Sequence, residues 1–173
     1  MKEPKIFDDV FEKVEKLLHS TTKDTCFFVS SGTVEDPDVM TCGWASIGVS
    51  YSVNTLMIMV GYSRYTASLI EKYRCFSVTV PLEDMHKELI YVGTHSKIND
   101  VNKIKNSSIK LSPGISVDCP HVSCHGITYE CKLVYRSKTE IENMDAALAQ
   151  ERYKGKTNYH NMYFGEILRA YEH

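Results

Sequence analysis

Several absences bound this chain before any motif is considered. No charge of one sign dominates: 20 Lys and Arg stand against 22 Asp and Glu, a net charge of −2. Nothing in that balance makes nucleic acid the main partner. The N-terminal stretch MKEPKIFDDVFEKVEKLLHS has no continuous apolar segment, so neither a signal peptide nor a membrane span is expected there. There is no G-x-G-x-x-G between a strand and a helix and no Walker sequence, which excludes the usual dinucleotide and P-loop fingerprints. No repeat, low-complexity tract or linker marks a domain boundary, and no convincing nucleophile–base or carboxylate pair stands out. Tryptophan occurs once, at Trp44.

What is present describes a globular protein. The 173 residues are 43% hydrophobic and 24% charged, enough for one domain with a real core and too few for two ordinary ones. A cytoplasmic location is expected. The six cysteines, Cys26, Cys42, Cys75, Cys119, Cys124 and Cys131, are then expected as thiols. Cys26 and Cys75 lie in apolar runs, where cysteine acts as a small hydrophobe.

Periodicity changes once near the start. Ile6, Phe7, Val10, Phe11, Val14, Leu17 and Leu18 recur at helical spacing and predict an amphipathic helix within residues 1–20. Strands are predicted at Thr25–Ser30, Val39–Ser50, Val53–Gly61, Arg74–Val80, Tyr129–Arg136 and Met162–Leu168. Val53–Gly61 is apolar on both faces, as in a buried strand. Short helices fit Tyr65–Tyr73, Leu82–Tyr91, Val101–Asn106 and Glu140–Tyr153. The part from Asp145 reads as a solvated surface helix, with a lid over a site as the other reading. Many strands and few helices point to a mainly antiparallel barrel, although periodicity alone equally allows a sandwich.

Two loops suit an anion. Gly61-Tyr-Ser-Arg-Tyr-Thr66 follows a strand and opens a helix, with Ser63 as candidate N-cap, free backbone N–H groups behind it, and the Arg64 guanidinium. Gly93-Thr-His-Ser-Lys97 offers a glycine, the hydroxyls of Thr94 and Ser96, and the Lys97 charge. Taken singly, a capped surface helix and a polar turn are the plainer accounts.

In order along the chain, Met40-Thr-Cys-Gly-Trp-Ala-Ser46, Ser63-Arg-Tyr-Thr66, Gly93-Thr-His-Ser96, Glu130-Cys-Lys132 and Tyr159-His-Asn-Met-Tyr-Phe-Gly-Glu-Ile167 resemble the flavin reductase-like family of flavoredoxin-like, FMN-binding split barrels. The ordered set carries the likeness; no single motif does. The resemblance implies a single domain over residues 1–173, with the barrel over 25–170, and non-covalent FMN. It implies that Met40, Thr41, Cys42, Gly43, Trp44, Ala45 and Ser46 run along the flavin. Ser63, Arg64 and Thr66 would hold the phosphate together with Thr94 and Ser96, with Tyr65 and Lys97 in the same loops. His160 would lie near the flavin at a subunit interface, as a weak catalytic candidate. A homodimer with FMN between subunits is implied, with NAD(P)H as a possible donor and free flavin or a redox protein as acceptor.

Three departures from the family pattern stand out. Val53-Asn54 replaces a common Pro-Pro. Lys97-Ile-Asn-Asp100 replaces a common glycine-arginine-aspartate. Cys42 puts a thiol beside the flavin, expected to be buried and inert. Judged without the resemblance, His160 reads as structural, and Trp44 divides evenly between flavin stacking and packing. Cys119-Pro-His-Val-Ser-Cys-His125 has the ligand types zinc prefers, but a single cluster lacks the second knuckle of a structural site. No metal is therefore expected. Three functions stay open: an NAD(P)H-dependent flavin reductase, a flavoredoxin-like electron carrier without a nicotinamide site, and a non-flavin module using the Cys119–His125 cluster.

Overall fold

A computed structural model describes residues 3–22 and 26–173. The chain runs β1 (Lys5–Ile6), α1 (Val14–Thr22), β2 (Phe27–Gly32), β3 (Pro37–Cys42), β4 (Ala45–Ser50), β5 (Val53–Gly61), α2 (Tyr65–Tyr73), β6 (Cys75–Pro81), α3 (His86–Thr94) and α4 (Lys103–Asn106). It continues with β7 (Leu111–Ser112), β8 (His121–Val122), β9 (Gly126–Lys138), a 3-10 turn (Ile141–Asn143), α5 (Ala146–Tyr153) and β10 (His160–Glu172). The fold is mainly β and antiparallel, as expected.

One sheet dominates, in the order β3-β2-β6-β9-β10-β5-β4, with β1 paired to the far end of β10. β3 and β4 are neighbours in sequence yet lie at the two ends of this ladder. The sheet curls into a barrel whose seam between β3 and β4 is not closed by hydrogen bonds. Bending is concentrated in β10, where register shifts fall at Phe164/Gly165 and Ile167/Arg169. Gly165 makes the curl possible. A Cβ there would stand 2.6 Å from both Cys131 Cβ and Phe76 Cζ. Gly165→Ala is expected to cost about 1–3 kcal/mol through overpacking, read as a lower urea midpoint.

Alternation fills the barrel. Phe27 and Val29, Leu56, Ile58 and Val60, Phe76 and Val78, and Tyr129 and Cys131 form one core with Tyr163 and Ile167. A second cluster, Phe28, Val39, Leu89, Val92, Ile109 and Val122, packs α3 and the β7–β8 hairpin on the outside of β2 and β3. This is why β2 is buried on both faces.

Four expectations shift. The first helix starts at Val14, because Ile6 pairs with Tyr171 as a strand and residues 8–13 turn. The run Val39–Ser50 is two strands, broken at Gly43-Trp44. The run Glu140–Tyr153 divides at Met144-Asp145, with Asp145 capping α5 through Leu148 N at 3.0 Å. β5 buries Leu56, Ile58 and Val60, with Thr55 and Gly61, while Met57 and Met59 are half-buried. Thr25, expected to begin a strand, lies outside the described residues. Among the described residues no helix is long and apolar enough to cross a membrane.

Candidate functional site

The seam creates a cleft. Its volume is about 210 Å³, and it brings together Met40, Thr41, Cys42, Gly43 and Trp44 with Met59, Gly61, Arg64, Asn158 and His160. Seven of these, Met40 to Trp44, Arg64 and His160, are residues that the sequence singles out. β3 delivers the first wall, β5 the second, and the start of β10 closes one end.

At one end three segments are tied together. Arg64 is the N-cap of α2 in extended conformation, and no side chain caps that helix. The Ala67 amide bonds the Arg64 carbonyl at 3.0 Å, and no side chain caps the amides before it. Arg64 Nη1 donates to the Gly93 carbonyl at 2.8 Å. Gly93 lies so close to β3 that a Cβ there would be 3.1 Å from Thr41 Cβ. The Thr41 hydroxyl donates to the Leu89 carbonyl in α3. β3, the head of α2 and the tail of α3 thus hold one another in place.

The rest of the expected anion set is engaged elsewhere. Ser63 is not the cap: its Oγ accepts from Asn158 Nδ2 at 2.8 Å and its amide donates to Asn158 Oδ1 at 3.1 Å. The Thr66 hydroxyl donates to Asp38 Oδ2 at 2.6 Å, buried. Gly93 and Thr94 form the last turn of α3 rather than a loop, and Thr94 Oγ1 donates to the Ile90 carbonyl at 2.8 Å. Ser96 Oγ accepts from the Ile98 amide within its own turn. Lys97 bonds Asp36 at 2.5 Å and the Pro37 carbonyl at 2.8 Å, above the Tyr65 ring. Ala45 and Ser46 continue along the edge strand, outside the cleft lining.

The other end is aromatic. Trp44 is 37% exposed, with the His160 ring 4.8 Å away and tilted. Tyr153 on α5 meets the Trp44 ring edge-on at 6.4 Å, and its hydroxyl lies 2.9 Å from His160 Nδ1. α5 is thus exposed along most of its length but anchors one buried tyrosine at the cleft. Burial, then the charges of Lys156 and Arg64, holds the His160 imidazole below its ordinary range, so it is neutral near pH 7. Cys42 stays a thiol: burial pushes it up to about 11, and Sγ donates towards the Trp44 and Met59 carbonyls.

Sequence reasoning missed Met59, Asn158 and Tyr153. Met59 carried no signal, since β5 is apolar on both faces and its half-burial emerges only in the fold. Asn158 and Tyr153 carried none. The Cys119–His125 run disperses. Cys119 meets Ser77 at 3.4 Å, His121 meets Tyr171 at 3.1 Å, and His125 reaches towards Glu172 at 3.9 Å. Among the described residues no three His, Cys, Asp or Glu side chains converge as metal ligands.

Residues 20–173 match the family model of the flavin reductase like domain. The chain belongs to that family. A protein from Archaeoglobus fulgidus, itself uncharacterised, is 32% identical over 144 residues, covering 83% of this chain and 70% of that protein. Three solved structures share the fold. The FMN-binding domain of a flavin reductases-like enzyme from Shewanella baltica superimposes with a TM-score of 0.72 at 20% identity, over 98% of this chain and 77% of that one. The flavoredoxin of Desulfovibrio vulgaris gives 0.65 at 21%, over 86% and 69%. An NADH:FAD oxidoreductase of Streptomyces globisporus gives 0.64 at 17%, over 86% and 75%. The split-barrel expectation and the family resemblance agree with these findings.

Proposed function

We propose that this chain is an FMN-binding oxidoreductase of the NAD(P)H-dependent flavin reductase type, acting as one domain with its flavin held non-covalently in the seam cleft. The observation that carries the reading is the convergence of Arg64, the uncapped start of α2 and the β3 backbone on one opening. An uncapped helix start beside a guanidinium suits a phosphate. The Met40–Trp44 backbone suits a flat ring lying along it. FMN, when bound, supplies the hydride or electron transfer.

The chain's own residues position and exclude. Arg64 binds phosphate while bracing Gly93. Thr66, Thr94, Ser96 and Lys97 shape the pocket from behind, because their side chains are already satisfied. Neutral His160, oriented by Tyr153, presents its other ring nitrogen as a hydrogen-bond partner. Cys42 keeps its proton and supplies packing. Arg64→Ala is expected to weaken FMN binding about 10- to 100-fold, the loss of one charged hydrogen bond to phosphate, measured by fluorescence titration.

The reading includes a homodimer. The outer face of β5, β10 and β9 carries Met57, Met59, Met162, Phe164 and Tyr135, none fully buried. Met59 belongs both to this face and to the cleft. A second copy seated there would wall in a flavin that the shallow cleft leaves open. Met57→Glu is expected to give a monomer by light scattering and to lower flavin retention at least tenfold, because a charge is then buried at the interface.

A second reading is favoured by one observation. Trp44, Tyr153 and His160 pack on one another at the open end of the cleft, where a nicotinamide would have to stack. An electron carrier reduced by a protein partner fits that packing. The deciding experiment is an absorption spectrum before and after anaerobic NADH or NADPH. Flavin bands that bleach promptly support the reductase. Bands that persist, yet bleach with a reduced ferredoxin, support the carrier. Failure of the protein to retain added FMN through desalting defeats both.

A further inference from the structure

Two carboxylates and three cations gather behind the cleft. Asp36-Pro37-Asp38, at the entry to β3, carries both carboxylates. Lys97 matches Asp36. Lys103, the first residue of α4, matches Asp38, with Nζ 3.1 Å from Oδ1. The Lys103–Asp38 pair is fully buried, whereas the Lys97–Asp36 pair reaches solvent. Arg64 is the remaining cation. Among the described residues its guanidinium meets a carbonyl, that of Gly93, and no carboxylate.

The buried pair acts on the head of α2. The second oxygen of Asp38 accepts from the Thr66 hydroxyl at 2.6 Å. Thr66 stands two residues after the N-cap Arg64, inside the first turn of α2. The carboxylate is therefore bonded within about one helical turn of the amides that open this helix. Burial, against the pull of Asp38, holds the Lys103 ammonium below its ordinary range, and the Arg64 charge adds to this. The start of a helix and a guanidinium favour an anion. A bare carboxylate one turn behind them would oppose it, and a buried site leaves little water to screen the repulsion. Lys103 cancels that carboxylate where it stands and leaves Arg64 free to face the cleft.

We propose that Lys103 is a specificity-determining residue of the cleft: by cancelling Asp38 it makes the head of α2 prefer a flavin that ends in a phosphate monoester over the same flavin ending in a hydroxyl. The inference rests on the reading of the cleft as an FMN site and adds the residue that sets FMN above riboflavin. Fully buried, Lys103 acts through its charge and not by contact with the ligand. Riboflavin shares the ring and ribityl chain of FMN and lacks only the phosphate, so damage to the pocket weakens both flavins while a change of charge weakens FMN alone.

The test titrates the full chain with FMN and with riboflavin, read by quenching of flavin fluorescence. Wild type is expected to hold FMN about 100-fold tighter than riboflavin, through charged hydrogen bonds to the phosphate. Lys103→Gln removes the charge and keeps a hydrogen-bond donor towards Asp38. It is expected to weaken FMN about 10- to 100-fold and to leave riboflavin within about twofold. Asp38→Asn combined with Lys103→Met carries neither charge and is expected to return the ratio to near its wild-type value. An unchanged ratio in Lys103→Gln, or an equal loss of both flavins, overturns the inference. Should Lys103→Gln not fold, Asp38→Asn tests the same effect with the opposite sign: the ratio is expected to rise about threefold or more, and no rise overturns the inference. Wild type that holds neither flavin defeats the FMN reading itself; wild type that holds FMN and riboflavin alike defeats this inference alone.

Discussion

Lys103→Met should lower stability by about 3–5 kcal/mol, because it strands a buried carboxylate. Lys103 and Asp38 are 2% and 1% exposed, with Nζ 3.1 Å from Oδ1. The other oxygen of Asp38 accepts from Thr66 at 2.6 Å. Burial holds Lys103 below its ordinary range in spite of the facing carboxylate. The pair therefore does more to fix position than to add stability: it locks α4 onto β3 and the first turn of α2. Urea unfolding checks the size of the loss. Asp38→Asn combined with Lys103→Met should recover much of it, since no charge is then left alone and the amide oxygen still accepts from Thr66. Equal losses in the single and double variants would show that Lys103 acts by packing alone.

Acid should unfold the protein through His121. Its Nδ1 is 3.1 Å from the Tyr171 hydroxyl, which donates to Glu130 at 2.7 Å, and its Nε2 is 3.1 Å from His173 Nε2. Glu130 is held further by the Ile115 and Ser116 amides. Burial first, then the His173 charge, lowers His121 from 6.5 to about 4, against the pull of Glu130. The unfolded chain thus binds a proton that the folded one refuses. Stability is full above pH 6.5 and is lost as pH falls to about 4, by roughly 3 kcal/mol in all. Unfolding midpoints measured across that window check it. His121→Gln should remove about one proton from the slope; an unchanged slope would assign the acid sensitivity to other groups.

Much of the fold was legible because the barrel is built by alternation. Tyr65–Tyr73 and Val53–Gly61 are a helix and a strand with the boundaries their residues suggest. The first helix was misplaced because Ile6 and Phe7 satisfy a helical period while pairing or packing against the end of β10, a partner more than 160 residues away. Only tertiary pairing distinguishes the two. The walls of the cleft were legible in Met40–Trp44, Arg64 and His160, which lie in ordered motifs. The hydroxyls expected at the phosphate make hydrogen bonds within the protein. Hydroxyl side chains advertise hydrogen bonding but not its direction, and Thr66 and Thr94 turn theirs to Asp38 and to the helix backbone. Asn158 and Tyr153 enter the site through the fold alone.

The open seam has a mechanical meaning. The walls of the cleft stand on β3, at one end of the hydrogen-bonded ladder, and on β5, next to its other end; they are tied across the opening by the Gly43-Trp44 corner, the bond from the Met59 amide to the Trp44 carbonyl and the contact of Cys42 Sγ with the Met59 carbonyl. No backbone ladder sets the distance between them. The width of the opening is instead a property of the whole sheet's curvature, distributed over six strand pairings and concentrated at the Gly165 bend. The barrel behaves as a leaf spring closed on itself with its ends unfastened. A flat guest gripped at the seam would act as the clasp, and tightening there would be transmitted around the ring to β9 on its far side, without breaking a single rung.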